Sequence, residues 1–104
     1  MTTQELTTIS LDDLVPEVVF FPKAQLCSLL DVSPSTLDRY RNELIELKVP
    51  GFEWYFYSTG YDKDSAECLH QYARLVREQR KDRAKDLIKN HMEKYWNKYG
   101  RNKS

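Results

Sequence analysis

Short apolar clusters separated by Pro-bearing turns fill residues 1–61, and a helical stripe runs through the remainder. Ser10-Leu11-Asp12-Asp13-Leu14 reads as a short capped helix, with the Ser10 hydroxyl as acceptor, the Asp pair at the positive helix start and Pro16 as its stop. Val18-Val19-Phe20-Phe21 is β-branched and aromatic and predicts a short strand. Pro22 then suits the first position of a helix over Lys23–Leu30. Asp31-Val32-Ser33-Pro34 is a tight connection in which Ser33 caps, and Pro34 opens, a second helix running to about Leu47. Lys48-Val49-Pro50-Gly51 is a turn. Phe52, Trp54 and Phe56 alternate, so Phe52–Tyr57 predicts a strand with one buried side, broken by Ser58-Thr59-Gly60. Asp64 followed by Glu67 matches a capping box that opens the last helix.

The last segment carries apolar residues at Leu69, Tyr72, Ala73, Val76, Ala84, Leu87, Ile88, Met92, Tyr95 and Tyr99, a helical spacing on both sides of the polar stretch Arg77–Arg83. It reads either as one helix of more than thirty residues or as two helices broken near Asp82. With no Gly or Pro inside, one continuous helix is expected. A stripe that long cannot be covered by the remaining body. Leu69, Tyr72, Val76, Ala84, Leu87, Ile88, Met92, Tyr95, Trp96 and Tyr99 are therefore the expected dimerisation residues. The alternative is a helix folded back on its own domain.

Charge changes this picture more than composition does. The chain has 104 residues, the size of one domain, with 40% hydrophobic and 12% aromatic residues, too many core formers for disorder. Sixteen basic groups balance sixteen acidic ones. Neutrality of that kind argues against nucleic acid until it is divided along the chain. Residues 1–61 sum to −5 and residues 62–104 to +5. Partners meet segments rather than averages. The longest apolar run, Val18 to Phe21, is too short to span a membrane, and the N-terminus lacks the pattern of a secretion signal. Two cysteines, Cys27 and Cys68, make no disulfide framework and read as reduced core thiols of a cytoplasmic protein.

The strongest constellation is Leu26 to Tyr40. Leu26, Leu30, Val32, Leu37 and Tyr40 suit a crossing of two helices, Cys27 supplies a small residue there, and Asp31 stands where the turn wants a left-handed residue. Together these form a helix-turn-helix. Its outward face would present Ser35, Thr36, Asp38, Arg39 and Asn42. Arg39 suits bidentate contact to guanine, Asn42 to adenine, and Asp38 can accept from cytosine. Ser33, Ser35 and Thr36 lie at a helix start able to hold phosphate, while Lys23, Arg41 and Lys48 are candidate backbone contacts. Lys63, Arg74, Arg77 and the Arg80–Lys85 cluster would add phosphate contacts if the last helix passes near DNA. The bland alternatives are an Arg39–Glu43 pair and an Arg41–Asp38 pair within the helix.

Val32-Ser33-x-Ser35-Thr36-Leu37-x-Arg39-Tyr40-Arg41, followed by an aromatic segment ending Tyr57-Ser58 and an acid-capped helix, resembles the winged helix-turn-helix of MerR-type regulators. It is equally similar to the AlpA/excisionase-like proteins of mobile elements, and the small MerR-like repressors beside CRISPR-associated transposons are a narrower likeness. The resemblance covers roughly residues 22–80. It implies a second helix in the major groove and an antiparallel pairing of C-terminal helices. It departs at Asp38, where MerR-type proteins usually carry arginine, and at a wing with only Lys48 nearby.

The expected fold is mainly α: a winged helix-turn-helix with a short β element and a long C-terminal dimerisation helix. Residues 1–61 form the head, its first nine residues flexible, and 62–104 the dimerisation helix with a basic tail. Cys27, Cys68, His70 and His91 lack zinc-site spacing, no Gly-rich phosphate loop exists, and no Ser/His/Asp set stands out. Hence no enzyme, metal, cofactor or small-molecule effector is expected. The expected function is a dimeric repressor on double-stranded DNA, with an excisionase-like architectural factor and a protein-interaction adaptor as rivals.

Overall fold

The computed structural model describes residues 11, 15, 18–54 and 59–100. Its elements run β1 (Phe20–Pro22), α1 (Lys23–Leu30), α2 (Pro34–Leu47), β2 (Gly60–Asp62), α3 (Lys63–Gln79) and α4 (Lys81–Tyr99). The Ser10 cap and Phe56 lie outside the described residues. Helices α1 and α2 match their sequence expectation end to end. Pro22 alone is displaced, closing β1 one place before the helix rather than opening it.

β1 pairs antiparallel with β2 in the register Phe20–Asp62, Phe21–Tyr61 and Pro22–Gly60. The expected strand Phe52–Tyr57 is not found over its described part, and Tyr55–Tyr57 lie outside the described residues. The described part, Phe52 to Trp54, has no regular structure. The side-chain alternation is nevertheless present: Phe52 and Trp54 are partly buried while Glu53 is exposed. A side chain occupies the place a strand partner would take. The Ser65 hydroxyl accepts from the Glu53 N–H at 2.8 Å and donates to the Glu53 carbonyl at 2.7 Å. The expected breaker Gly60 is instead a strand residue. A Cβ there would sit 2.5 Å from the Phe21 carbonyl oxygen, so only glycine lets the two strands approach.

The start of α3 also differs in detail. Asp62, not Asp64, is the N-cap, its carboxylate accepting from the Ser65 N–H at 2.8 Å. Glu67 is drawn inward instead, accepting from the Leu11 N–H at 2.9 Å and from Gln71 at 2.7 Å.

The larger correction concerns the C-terminal segment. The helix is not continuous. Arg80, at φ 77° and ψ 156°, separates α3 from α4, which folds back along its own domain. An uninterrupted helix would carry Arg80 and Arg83 onto the apolar stripe. Reversal instead buries Ala84, Ile88 and Met92 completely. Full burial is worth about 1.5–3 kcal/mol for each large side chain, against roughly 1–3 kcal/mol for one non-glycine residue held extended at positive φ, so the reversal wins. Of the expected dimerisation residues, Leu69, Tyr72, Ala84, Ile88 and Met92 therefore lie in the chain's own core. Val76, Tyr95 and Trp96 pack against that core, Leu87 is half-buried, and Tyr99 is exposed. Most of the stripe is thus covered by the chain itself.

A buried polar tie joins α2 to both later helices. Glu43 accepts from the Tyr72 hydroxyl at 2.7 Å and pairs with the Lys81 ammonium at 3.0 Å. Burial alone would raise the Glu43 pKa, but the Tyr72 and Lys81 bonds outweigh it and hold the carboxyl below its ordinary range. Burial, with that carboxylate beside it, pushes the Tyr72 phenol well above the usual tyrosine range. A carboxyl depressed in the folded state adds stability above its unfolded pKa and loses it as pH falls through the folded value. Denaturant midpoints measured from pH 7 to pH 3 are thus expected to fall more steeply in the wild type than in Glu43→Gln. Equal slopes would remove Glu43 from the account.

Candidate nucleic-acid interface

Local capping sets the geometry of the turn. Asp31 adopts φ 58° and ψ 50°, the left-handed conformation that the sequence expects there. Its N–H donates to the Ser28 carbonyl at 3.3 Å, and the Val32 N–H donates to the Cys27 carbonyl at 3.1 Å. That pair closes α1 as helix ends commonly close. From α3, Arg77 donates to the Leu30 and Asp31 carbonyls, tying the turn down from outside. Ser33 then caps α2, accepting from the Thr36 N–H at 3.1 Å while donating to the Thr36 hydroxyl at 3.0 Å. Leu26, Leu30, Leu37, Tyr40 and Leu44 are buried between the helices and α3, with Val32 packed at the edge. Tyr40 meets Tyr72 edge-on at 5.0 Å between ring centroids.

Ser35, Arg39 and Asn42 are consequently exposed, with Thr36 and Asp38 half-exposed beside them. Arg39 forms no hydrogen bond or ion pair with any described residue. The alternative pairing with Glu43 is closed, because Tyr72 and Lys81 occupy that carboxylate. Asp38 behaves otherwise. It lies 2.9 Å from the Lys23 ammonium and 3.0 Å from the Arg41 guanidinium, which leaves the trio with one net positive charge. A carboxylate that would repel phosphate is thereby offset where it stands. These pairs are partly exposed and worth little as stability; what they set is position. Lys23 and Arg41 accordingly face Asp38 rather than standing free as backbone contacts.

Arg41 does further work. Its guanidinium lies 4.3 Å over the Trp54 ring and donates to the Asn42 side-chain oxygen at 3.1 Å. Asn42 thus has its acceptor engaged, which weakens its case as a bidentate adenine reader. Trp54 is a site residue that the sequence reading assigned only to a strand. The signal was present in its partly buried alternation, but no spacing rule links it to Arg41.

After α2 the chain turns through Lys48, at φ 56° and exposed, and through Gly51 at φ 89°. Two residues of later helices hold this turn. Trp96 donates its indole N–H to the Pro50 carbonyl at 2.7 Å, and the Cys68 thiol reaches the same oxygen at 3.5 Å. Trp96 therefore holds the Pro50 turn of its own chain.

The basic residues of α3 and α4 divide similarly. Arg74 pairs with Glu78 at 3.3 Å, Arg77 with the turn carbonyls, and Lys81 with Glu43. Arg80 and Arg83 are exposed at the α3–α4 elbow. That elbow flanks α2, because Lys81 contacts Glu43 there and Arg77 contacts the α1–α2 turn.

Comparison with protein-family models, curated proteins and solved structures found no match. Among the described residues no helix is long and apolar enough to cross a membrane, and no group of three or more His, Cys, Asp or Glu could hold a metal ion.

Proposed function

We propose that this chain is a sequence-specific DNA-binding protein that places α2 in the major groove and represses transcription by occupying its site. The observation that carries the reading is Arg39. It is an exposed, unpaired guanidinium on a capped helix whose opposite face is locked into the core. A free planar fork so placed suits bidentate contact with guanine. Lys48 after α2 and Arg80 and Arg83 at the elbow are exposed and suit phosphate, with Ser35 and Thr36 at the helix start. Offsetting of Asp38 by Lys23 and Arg41 lets the acid lie near a phosphodiester backbone at low cost.

An excisionase-like architectural factor is the second reading. It is favoured by the fold-back of α4, since one chain closes its own core and needs no symmetric partner to do so.

Arg39→Ala is expected to weaken binding to a cognate duplex by roughly ten- to a hundred-fold, in line with about 1–3 kcal/mol for a bidentate base contact. Affinity for a scrambled duplex should change far less, and wild-type affinity should fall steeply with salt. Fluorescence anisotropy on both duplexes reads this. Equal loss on the two would make Arg39 a phosphate grip, and salt-insensitive or absent binding would favour a protein-interaction adaptor.

A further inference from the structure

A cavity of about 150 Å³ lies between α3 and the C-terminal half of α4, lined by Gln71, His91, Lys94, Tyr95, Lys98 and Tyr99. Its chemistry is unlike that of the α2 surface. Gln71 is buried, and its side-chain nitrogen donates to the Glu67 carboxylate at 2.7 Å. Its oxygen must therefore face His91 Nε2, 2.9 Å away, so that His91 donates from Nε2. Glu67 is fixed in turn by the Leu11 N–H. This chain of bonds makes the inner wall rigid.

The aromatic wall is formed by Tyr95 and Tyr99, whose ring centroids lie 4.7 Å apart at a tilt of 45°. Lys94 and Lys98 stand one helical turn apart at the rim. Neither forms an ion pair with a described residue, and the Lys98 ammonium lies 5.3 Å from the Tyr99 ring centroid. No carboxylate lines the cavity. Burial holds His91 below its ordinary pKa, so near neutral pH the positive charge here belongs to the two lysines.

We propose that this cavity binds a small aromatic carboxylate, with its ring against Tyr95 and Tyr99 and its carboxylate between Lys94 and Lys98. Pockets of this kind combine an apolar wall with a few convergent polar groups that fix orientation. A bare inorganic anion would leave the rings unused, and an uncharged ring would leave the two ammonium groups unused. The site also touches the wing. Tyr95 meets Trp96 edge-on at 5.0 Å, and Trp96 holds the Pro50 carbonyl. Occupancy is thus felt at Gly51 through two contacts.

Titration of the ¹⁵N-labelled chain with benzoate tests this without reference to DNA. The expected result is saturable amide shifts at Gln71, His91 and Lys94–Tyr99, with a smaller shift at Gly51 saturating in parallel. Affinity should fall at least about tenfold in the Lys94→Gln/Lys98→Gln variant, whose two sites are exposed and should not disturb folding. Inorganic phosphate should bind at least about tenfold more weakly than benzoate, since it lacks the ring that stacks. The proposal is overturned by an absence of saturable shifts, by unchanged affinity in the double variant, or by phosphate binding as tightly as benzoate.

Discussion

Gly51→Ala is expected to destabilise the protein by about 3 kcal/mol, near the upper range for a single substitution. Two costs combine. Position 51 sits at φ 89°, where an L-residue is strained by roughly 1–2 kcal/mol. An added Cβ would also fall 2.4 Å from Trp96 Nε1 and 2.6 Å from Trp96 Cε2. The indole cannot simply swing away, because its N–H is committed to the Pro50 carbonyl at 2.7 Å. Urea denaturation of Gly51→Ala, Trp96→Ala and the double variant separates the two costs. Removal of the indole should relieve the clash but leave the backbone strain, so the double variant should be more stable than the sum of the singles predicts. Strict additivity would mean that Trp96 does not hold this turn in solution.

Ile88→Ala carries the second large effect. The side chain is fully buried between α4 and the rest of the chain, and such truncations cost about 2–5 kcal/mol through lost burial and an unfilled cavity. The concentration dependence matters as much as the size. If α4 covers its own domain, both wild type and variant unfold at midpoints independent of protein concentration. A seam between two chains would instead shift the midpoint upward with concentration, because association stabilises only the folded state. A tenfold dilution series of the wild type and Ile88→Ala decides between them. A midpoint that moves with concentration would contradict the folded-back arrangement.

The α1–turn–α2 pair was legible because everything that shapes it is local. Ser33 caps, Pro34 starts, Asp31 takes the left-handed position, and Leu37, Tyr40 and Leu44 repeat at helical spacing. The elements that were misplaced depend on distant partners. Phe52 and Trp54 alternate because one side of that segment is buried, and alternation reports burial rather than pairing. Ser65 decides against the strand, and it comes from another helix. The reversal at Arg80 uses neither Gly nor Pro. Only the wish of Ala84, Ile88 and Met92 to reach the core reveals it, and that is a tertiary quantity. In the candidate site, the residue types of α2 were readable from helical phase. That Asp38 is offset from two sides, that Arg41 lies over Trp54, and that Trp96 holds the Pro50 carbonyl required the folded chain.

The division of charge takes on a different meaning in the folded chain. Two cations of the basic half are engaged by the acidic half: Lys81 by Glu43, and Arg77 by the end of α1. Arg80 and Arg83 stay exposed at the elbow, beside the helix that carries Arg39. Fold-back brings the basic segment alongside α2, a placement that a continuous helix would have denied it.

Selection of bound sequences from a random pool of duplex DNA puts DNA reading by α2 to the test. Enrichment of one consensus containing a guanine, whose selection is lost in Arg39→Ala, is the expected result. Symmetric half-sites in that consensus would mark two heads acting together, and direct repeats would mark the architectural reading. No enrichment by the wild-type chain, at low as well as physiological salt, would contradict DNA reading by this surface.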